Sequence, residues 1–525
     1  MLVATATAAE EKKKPLEIPE GAIIGKIILD KNDVFNLEDE RENNALYRLI
    51  NKLHIITKDS VIESQLLLES GDLYSKRLAD ESARLLRQRR YLFDARVEAV
   101  KVENGVVDLQ VMTKDVWTLR PGITFSRSGG ESNTGIDIEE LNLLGYGQKV
   151  RIARDENIDR TTKSFELQDP HILNSRVRGT VLISDNSDGH LNRFNITRPF
   201  YALDSRWSLG VSGRDQDFRT SYWSLGEQAA EYQQERQVAS VFGGWSKGLK
   251  NNWVRRYRTG VIFDDNQFDE VENGTLPALV PEDRRLIYPF IGIEVLEDDF
   301  ETATNKEQIG RTEDFFMGQR LTATLGYSSE NFDADRNALI YTSMYSRGFG
   351  SLLSKALLTS ARLSGRIEDG DSRNTMLGFS ARYYHQQTAK AMFVTTVEGV
   401  YGHSLDQDNV VELGGDTGLR GYPLRYQTGD SKVLFTVEQR YFTDWYPFRL
   451  FRVGGAIFAD VGRVWGESPV NETRLGWLKD VGLGLRFAST RTGFRRMLHV
   501  DIAFPLDGDP SIDKVQIIIE SKKSF

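Results

Sequence analysis

From Pro121 onward the chain is written in short segments whose apolar and polar residues alternate one by one, and that period of two leaves it few possible folds. In residues 320–327, Leu321, Ala323, Leu325 and Tyr327 share one face while Arg320, Thr322 and Thr324 take the other. Residues 175–184 oppose Val177, Gly179, Val181 and Ile183 to Arg176, Arg178 and Thr180. Likewise Val433, Phe435 and Val437 oppose Thr436, Glu438 and Arg440. Successive side chains of a strand point to opposite faces, so each segment reads as a strand with one apolar side. No apolar run approaches the roughly eighteen residues that a spanning helix requires. Any membrane crossing is therefore made by strands, and alternating segments of about ten residues are the pattern of a transmembrane barrel. A soluble sandwich carries the same alternation with its faces exchanged.

Two features favour the barrel. Connections alternate in length: residues 144–147 and 248–251 are brief, whereas 215–235 and 264–283 are long and charged and read as external loops. Aromatic residues gather at the short-turn ends, namely Tyr201 with Trp207, Trp245 with Trp253, and Trp445-Tyr446 with Phe448. Rings collected at one rim are what a membrane interface selects. A mean hydropathy of −0.42 is compatible with this, because alternating strands average to a polar value. The pattern gives roughly twenty segments after Pro121, an even number within the usual range.

Composition narrows the partners. A formal charge of −9 argues against nucleic acid, which needs clustered positive charge. Cysteine is absent, so no disulfide framework or thiolate metal site exists. The six histidines are scattered, with no helical pair at metal-ligand spacing, and Gly210-Val-Ser-Gly213 lacks the second spacer of a nucleophile elbow. The chain is therefore expected to be no enzyme and to carry no cofactor or metal.

The first part of the chain is different. Residues 1–22 read as a disordered leader or signal remnant. Residues 23–35 form a strand candidate, and residues 44–54 show helical spacing through Leu46, Leu49, Ile50 and Leu53. Ser60-Val-Ile-Glu63 predicts a capping box for a helix ending near Gly71, and Ser75 predicts the cap of a third helix. Two strands, 96–102 and 106–112, meet at Asn104-Gly105, the favoured two-residue hairpin turn. This order over residues 23–115 resembles a POTRA domain through residues 57–62, 69–72 and 104–109, with the helix at 46–56 as an insertion.

Two further stretches carry the sharpest signal. One is Gly414-Gly-Asp-Thr-Gly-Leu419-Arg420-Gly421-Tyr422-Pro423, too rich in glycine for a regular element. The other is Phe458-Ala-Asp460-Val-Gly462, inside an alternating strand. A loop arginine able to reach a strand aspartate predicts a loop, residues 405–430, folded into a polar interior. Leu419, Arg420, Gly421 and Tyr422 match the (V/I)RG(F/Y) loop motif, and Phe458, Asp460 and Gly462 the FxDxG strand motif, of the BamA/TamA outer-membrane assembly superfamily. The chain resembles that superfamily, with a leucine at 419 in place of the β-branched residue.

The resemblance implies an α+β periplasmic POTRA domain followed by an all-β antiparallel transmembrane β-barrel over residues 116–525. It implies sixteen strands, where the pattern reaches about twenty. Five strands follow the loop. Val515, Ile517, Ile519 and Phe525 would form a C-terminal insertion signal. The expected location is the bacterial outer membrane, with the POTRA domain in the periplasm. The partners implied are unfolded outer-membrane or secreted client proteins, periplasmic factors and the lipid bilayer, with no nucleic acid. The POTRA edge would take up clients by strand addition. A seam between the strand near 121–128 and the one near 515–521 would open toward lipid. A passive outer-membrane channel and a barrel-borne lipid-handling protein are the alternatives.

Overall fold

The computed structural model describes residues 18–271, 279–470, 475–493 and 496–522. The leader thus falls mostly outside the described residues, and Ala22 at its end is already buried in a core. The small domain runs β1 (Ile23–Asn32), α1 (Ala45–Leu53), α2 (Asp59–Glu63), α3 (Lys76–Arg87), β2 (Leu92–Glu103) and β3 (Val106–Asp115). β3 is central, parallel to β1 and antiparallel to β2. Asn104 and Gly105 both take positive φ, 51° and 77°, as a type I′ turn requires. Leu86, Leu92, Val107, Leu109 and Val111 close a core between α3 and the sheet.

Two local expectations fail here. α2 starts at Asp59, with Lys58 and not Ser60 at its N-cap, and stops at Glu63. The chain beyond it pairs with the edge of β1 instead: Gly71 N–H donates to Ile24 O (2.9 Å) and Tyr74 N–H to Ala22 O (2.8 Å). Those backbone bonds replace the helical ones. In α1 the residue that packs inward is Tyr47, while Leu46, Leu49 and Leu53 stay exposed.

The remainder closes into a barrel of 20 strands, from Leu119–Ser128 to Gln516–Lys522. The resemblance implied sixteen, so the count from alternation is the better one. Ile123, Ile136, Ile152, Ile291 and Leu483 are exposed on the outer face. Arg256, Glu294, Glu438, Arg440 and Arg486 are buried on the inner one. Apolar side chains turned outward with charges inside is the arrangement of a barrel in lipid and the reverse of a soluble sandwich.

The long loop expected at 215–235 is almost wholly strand, and the one expected at 264–283 is strand as far as Glu270, with residues 272–278 outside the described residues. Trp207–Ser224 and Glu227–Lys250 run on past the apolar band and meet at Leu225-Gly226, a tight turn with φ of 52° and 83°. Polar residues on both faces made these extensions read as loop. The opposite rim carries a feature without a counterpart in the sequence reading. There the connection of residues 298–319 builds its own hairpin from Phe300–Thr304 and Thr312–Phe316.

Candidate functional site: a lumen filled from both ends

The loop at 405–430 enters the barrel from the rim opposite the small domain. Its ends pair as a two-stranded ribbon, Val411–Leu413 with Gln427–Gly429. Between them the glycines let the backbone fold tightly on itself. A Cβ on Gly414 would lie 2.5 Å from Pro423 O, and one on Gly415 2.4 Å from Tyr422 O. Leu419, Tyr422 and Tyr426 are fully buried against Leu413, Leu434, Val464 and Leu478, which fixes the loop by apolar packing.

Arg420 is presented by this scaffold to the barrel wall. Its Nε donates to Asp460 Oδ2 (2.7 Å) and Nη2 to Asp460 Oδ1 (3.0 Å), a two-pronged pair. Nη1 donates to Glu438 Oε1 (2.8 Å), and the guanidinium lies 3.3 Å from the ring centre of Phe458. Thr436 Oγ1 donates to Asp460 Oδ1 (2.8 Å), leaving that carboxylate fully engaged. Gly421 N–H donates to Asp480 Oδ2 (3.0 Å), and a Cβ there would stand 2.7 Å from Asp480 Cβ. The Tyr422 hydroxyl has Asp507 Oδ1 (2.5 Å) and Lys479 O (2.8 Å) within donating distance and accepts from Lys479 N–H (3.0 Å). Gly462 faces inward as well, and the Leu413 side chain occupies the space a Cβ would need.

The structure thus brings Leu419, Arg420, Gly421 and Tyr422 together with Phe458, Asp460 and Gly462 on the inner wall. Val515, Ile517 and Ile519 lie elsewhere. Val515 immediately precedes the last strand and, like Ile517, is exposed on the outer side, whereas Ile518 is buried beside Phe458. Phe525 lies outside the described residues.

Sequence reasoning missed the second filler. The tip of the hairpin at 300–316 rises into the lumen from the small-domain rim. Ile309 is buried with Met392, Val394 and Met497 of the wall. Glu307 accepts from Arg382 Nη1 (3.1 Å) and from the Tyr384 hydroxyl. Arg440 Nη1 donates to Lys306 O (3.0 Å), while its Nε donates to Glu438 Oε2 (2.9 Å). Glu438 therefore joins both fillers: Arg420 of the loop holds one oxygen, and Arg440, which holds the hairpin, takes the other. The clue in the sequence was length, since 22 residues separate two strands on a rim where the other connections are brief.

The small domain caps that same rim. Arg87 Nε donates to Asp314 Oδ2 of the hairpin (2.8 Å), and Arg311 Nη2 to Leu92 O (2.7 Å). Arg491 Nη1 reaches Val34 O (2.6 Å), and Asn142 Nδ2 reaches Thr57 Oγ1 (3.0 Å). Gln65 Oε1 accepts from Arg89, so its amide N–H donates to His171 Nε2 (2.8 Å). That bond requires an unprotonated ring nitrogen, and burial lowers the His171 pKa to about 4. Behind the contacts lies a polar cavity of about 910 Å³, reached by Arg120 and Thr124 of the first strand and Ser521 of the last. Among the described residues no group of three His, Asp or Glu side chains is placed to hold a metal.

Against this geometry, the sequence profile of the Omp85 superfamily domain matches residues 142–520, well over half of the chain. The chain belongs to the Omp85 superfamily. It is an outer-membrane β-barrel with transmembrane strands. A Treponema pallidum (strain Nichols) protein named as an outer membrane protein assembly factor is 33% identical over 121 residues, which cover 22% of this chain and 14% of that relative. CdiB from Escherichia coli has the same fold at 11% identity, with a TM-score of 0.50 over 95% of this chain and 76% of that one. BamA from Haemophilus ducreyi lacking POTRA domains 1–3 aligns at 13% identity and a TM-score of 0.40, over 94% and 84% of the two chains.

Proposed function

We propose that this Omp85 barrel is an assembly or translocation factor that inserts client proteins into the outer membrane or passes them across it. The observation that carries the reading is the seam. Among the described residues, the last strand meets the first through one register pair, Ile519 with Arg127, whereas the other neighbouring pairs in the barrel share at least seven. Gly122, Ser126 and Ser128 of the first strand add little side-chain packing across it. A wall held so lightly at one joint is the place for lateral opening toward lipid.

On this reading the small domain is a single POTRA domain in the periplasm. The outer edge of β2 has no strand beside it among the described residues, so an extended client can add there through backbone hydrogen bonds. Polar side chains of the cavity beside the seam would solvate the client as it moves from that edge to the first strand. Arg420, through Asp460, holds the inward loop, and with it the wall against which the seam opens. The name of the Treponema pallidum relative agrees with this activity. A lumen filled by both a loop and a hairpin favours it over a passive channel.

Reconstitution into liposomes tests the proposal. An unfolded outer-membrane barrel offered to them should acquire its folded, protease-resistant form faster with the full chain than with empty vesicles. Removal of residues 1–115 should lower that rate. Equal rates with and without the full chain would reject the assignment.

A further inference from the structure

Among the described residues, nothing covers the apolar face of α1. Leu46 is 60% exposed, Leu49 50% and Leu53 63%, and Ile55 just beyond the helix is 51% exposed. At 100° per residue the three leucines fall within one narrow arc. Tyr47 and Asn51 form the adjoining face, which packs on the Phe35 segment. Arg48 and Lys52 lie on the third face, exposed.

The position of this helix says what covers the leucines. The Tyr47 hydroxyl donates to Phe448 O in a turn of the barrel, and Ile50 and Leu450 pack around the same small cluster. Arg491 Nε donates to Arg449 O (2.9 Å) beside it. In that turn Phe448 is 79% exposed and Trp445 60%. At the other end, Ile55 lies against the turn holding Gly145, where Leu144 and Tyr146 are exposed and the Lys58 ammonium stands 3.4 Å from the Tyr146 ring centre. These turns end the apolar band of the barrel. In barrel order, the strands between them are those on either side of the seam.

We propose that α1 lies in the leaflet of the membrane on the small-domain side, with Leu46, Leu49 and Leu53 among acyl chains at the foot of the seam. The helix carrying the leucines is fastened between the turn of Phe448 and the turn of Leu144, where the outward apolar band ends. Arg48 and Lys52 stand at the level of the lipid phosphates, the usual partner of a basic flank on an interfacial helix. Nine residues with three leucines would bind a bilayer weakly alone. Fastened to a barrel already in the bilayer, the helix meets lipid at a high effective concentration and needs little intrinsic affinity. Its role is then to fix the tilt of the small domain and to perturb lipid where the wall is weakest. The inference rests on the barrel standing in a membrane and not on client handling.

The test uses the full chain, which has no cysteine, so a single introduced thiol is a clean probe site. Leu49→Cys, Leu53→Cys and Arg48→Cys are each labelled with an environment-sensitive fluorophore and reconstituted into liposomes of phosphatidylethanolamine and phosphatidylglycerol. Retained heat-modifiable migration reports the folded barrel. Probes at 49 and 53 should be quenched several-fold more strongly than the probe at 48 by nitroxide-bearing lipid, and shielded from aqueous iodide. Iodide quenching equal at all three positions would overturn the proposal. So would shielding of 49 and 53 from both quenchers, which would mean that protein, a second copy or a client, covers the leucines.

Discussion

Arg420 lies two-pronged on Asp460, at 2.7 and 3.0 Å, inside a barrel wall where Asp460 is wholly buried. Glu438, Thr436 and the Phe458 ring complete the surroundings, so neither charge has water to fall back on. Removing one partner of such a pair strands the other, at about 3–5 kcal/mol. Arg420→Ala and Asp460→Ala should each lower the thermal midpoint of the barrel in detergent. The double variant should lose clearly less than the sum, and additive losses would show that the two side chains act independently.

Gly421 has no room for a side chain. A methyl group would stand 2.7 Å from Asp480 Cβ and 3.0 Å from Pro505 N, so Gly421→Ala should cost about 1–3 kcal/mol by overpacking. Tyr422→Phe keeps the packing and removes only the hydroxyl bonded to Asp507 and Lys479, at about 1–3 kcal/mol. Melting midpoints of the two variants check both values.

The hairpin tip closes the lumen at the small-domain end. Replacing residues 305–311 by a short glycine linker removes Glu307 from Arg382 and Ile309 from its apolar seat. Planar-bilayer recordings should then find a larger and more persistent conductance than in the parent chain. An unchanged trace would mean that the loop at 405–430 alone seals the barrel.

Acid should loosen the contact between the small domain and the barrel at His171. Its pKa is lowered from an ordinary value near 6.5 to about 4, chiefly by burial and next by Arg89. The unfolded state therefore binds the proton more readily between those values, and stability present above pH 6.5 is lost as pH falls toward 4. The loss is about 1–3 kcal/mol. Asp115, pushed up to about 6 by burial, works in the opposite direction. The comparison that isolates His171 is therefore the parent against His171→Gln, melted at pH 7.5 and pH 5. The parent should lose more stability on acidification than the variant does.

The alternation of residues gave the barrel and its 20 strands because a period of two is decided locally, residue by residue. The motif at 419–422 and its partner at 458–462 were legible because glycine density marks a folded-back loop and an inward aspartate needs a cation. What stayed hidden depended on distant contacts. Ser60 lost its capping role because residues 71–74 bond to the edge of β1. Leu46, Leu49 and Leu53 look like a core stripe, and only the position of α1 beneath the barrel reveals that they face outward. Residues 300–316 form ordinary short strands in the sequence. That their tip enters the lumen follows from Arg440 and Arg382, far along the chain.

The proposed opening between the first and last strands can be stopped by locking that joint. Arg127→Cys combined with Ile519→Cys puts two thiols at the register pair that joins the described residues of the seam, in a chain with no other cysteine. Client insertion into liposomes is measured with the pair oxidised and again after reduction. Insertion should stop under oxidation and return on reduction. Insertion at an undiminished rate with the joint fully crosslinked would contradict lateral opening.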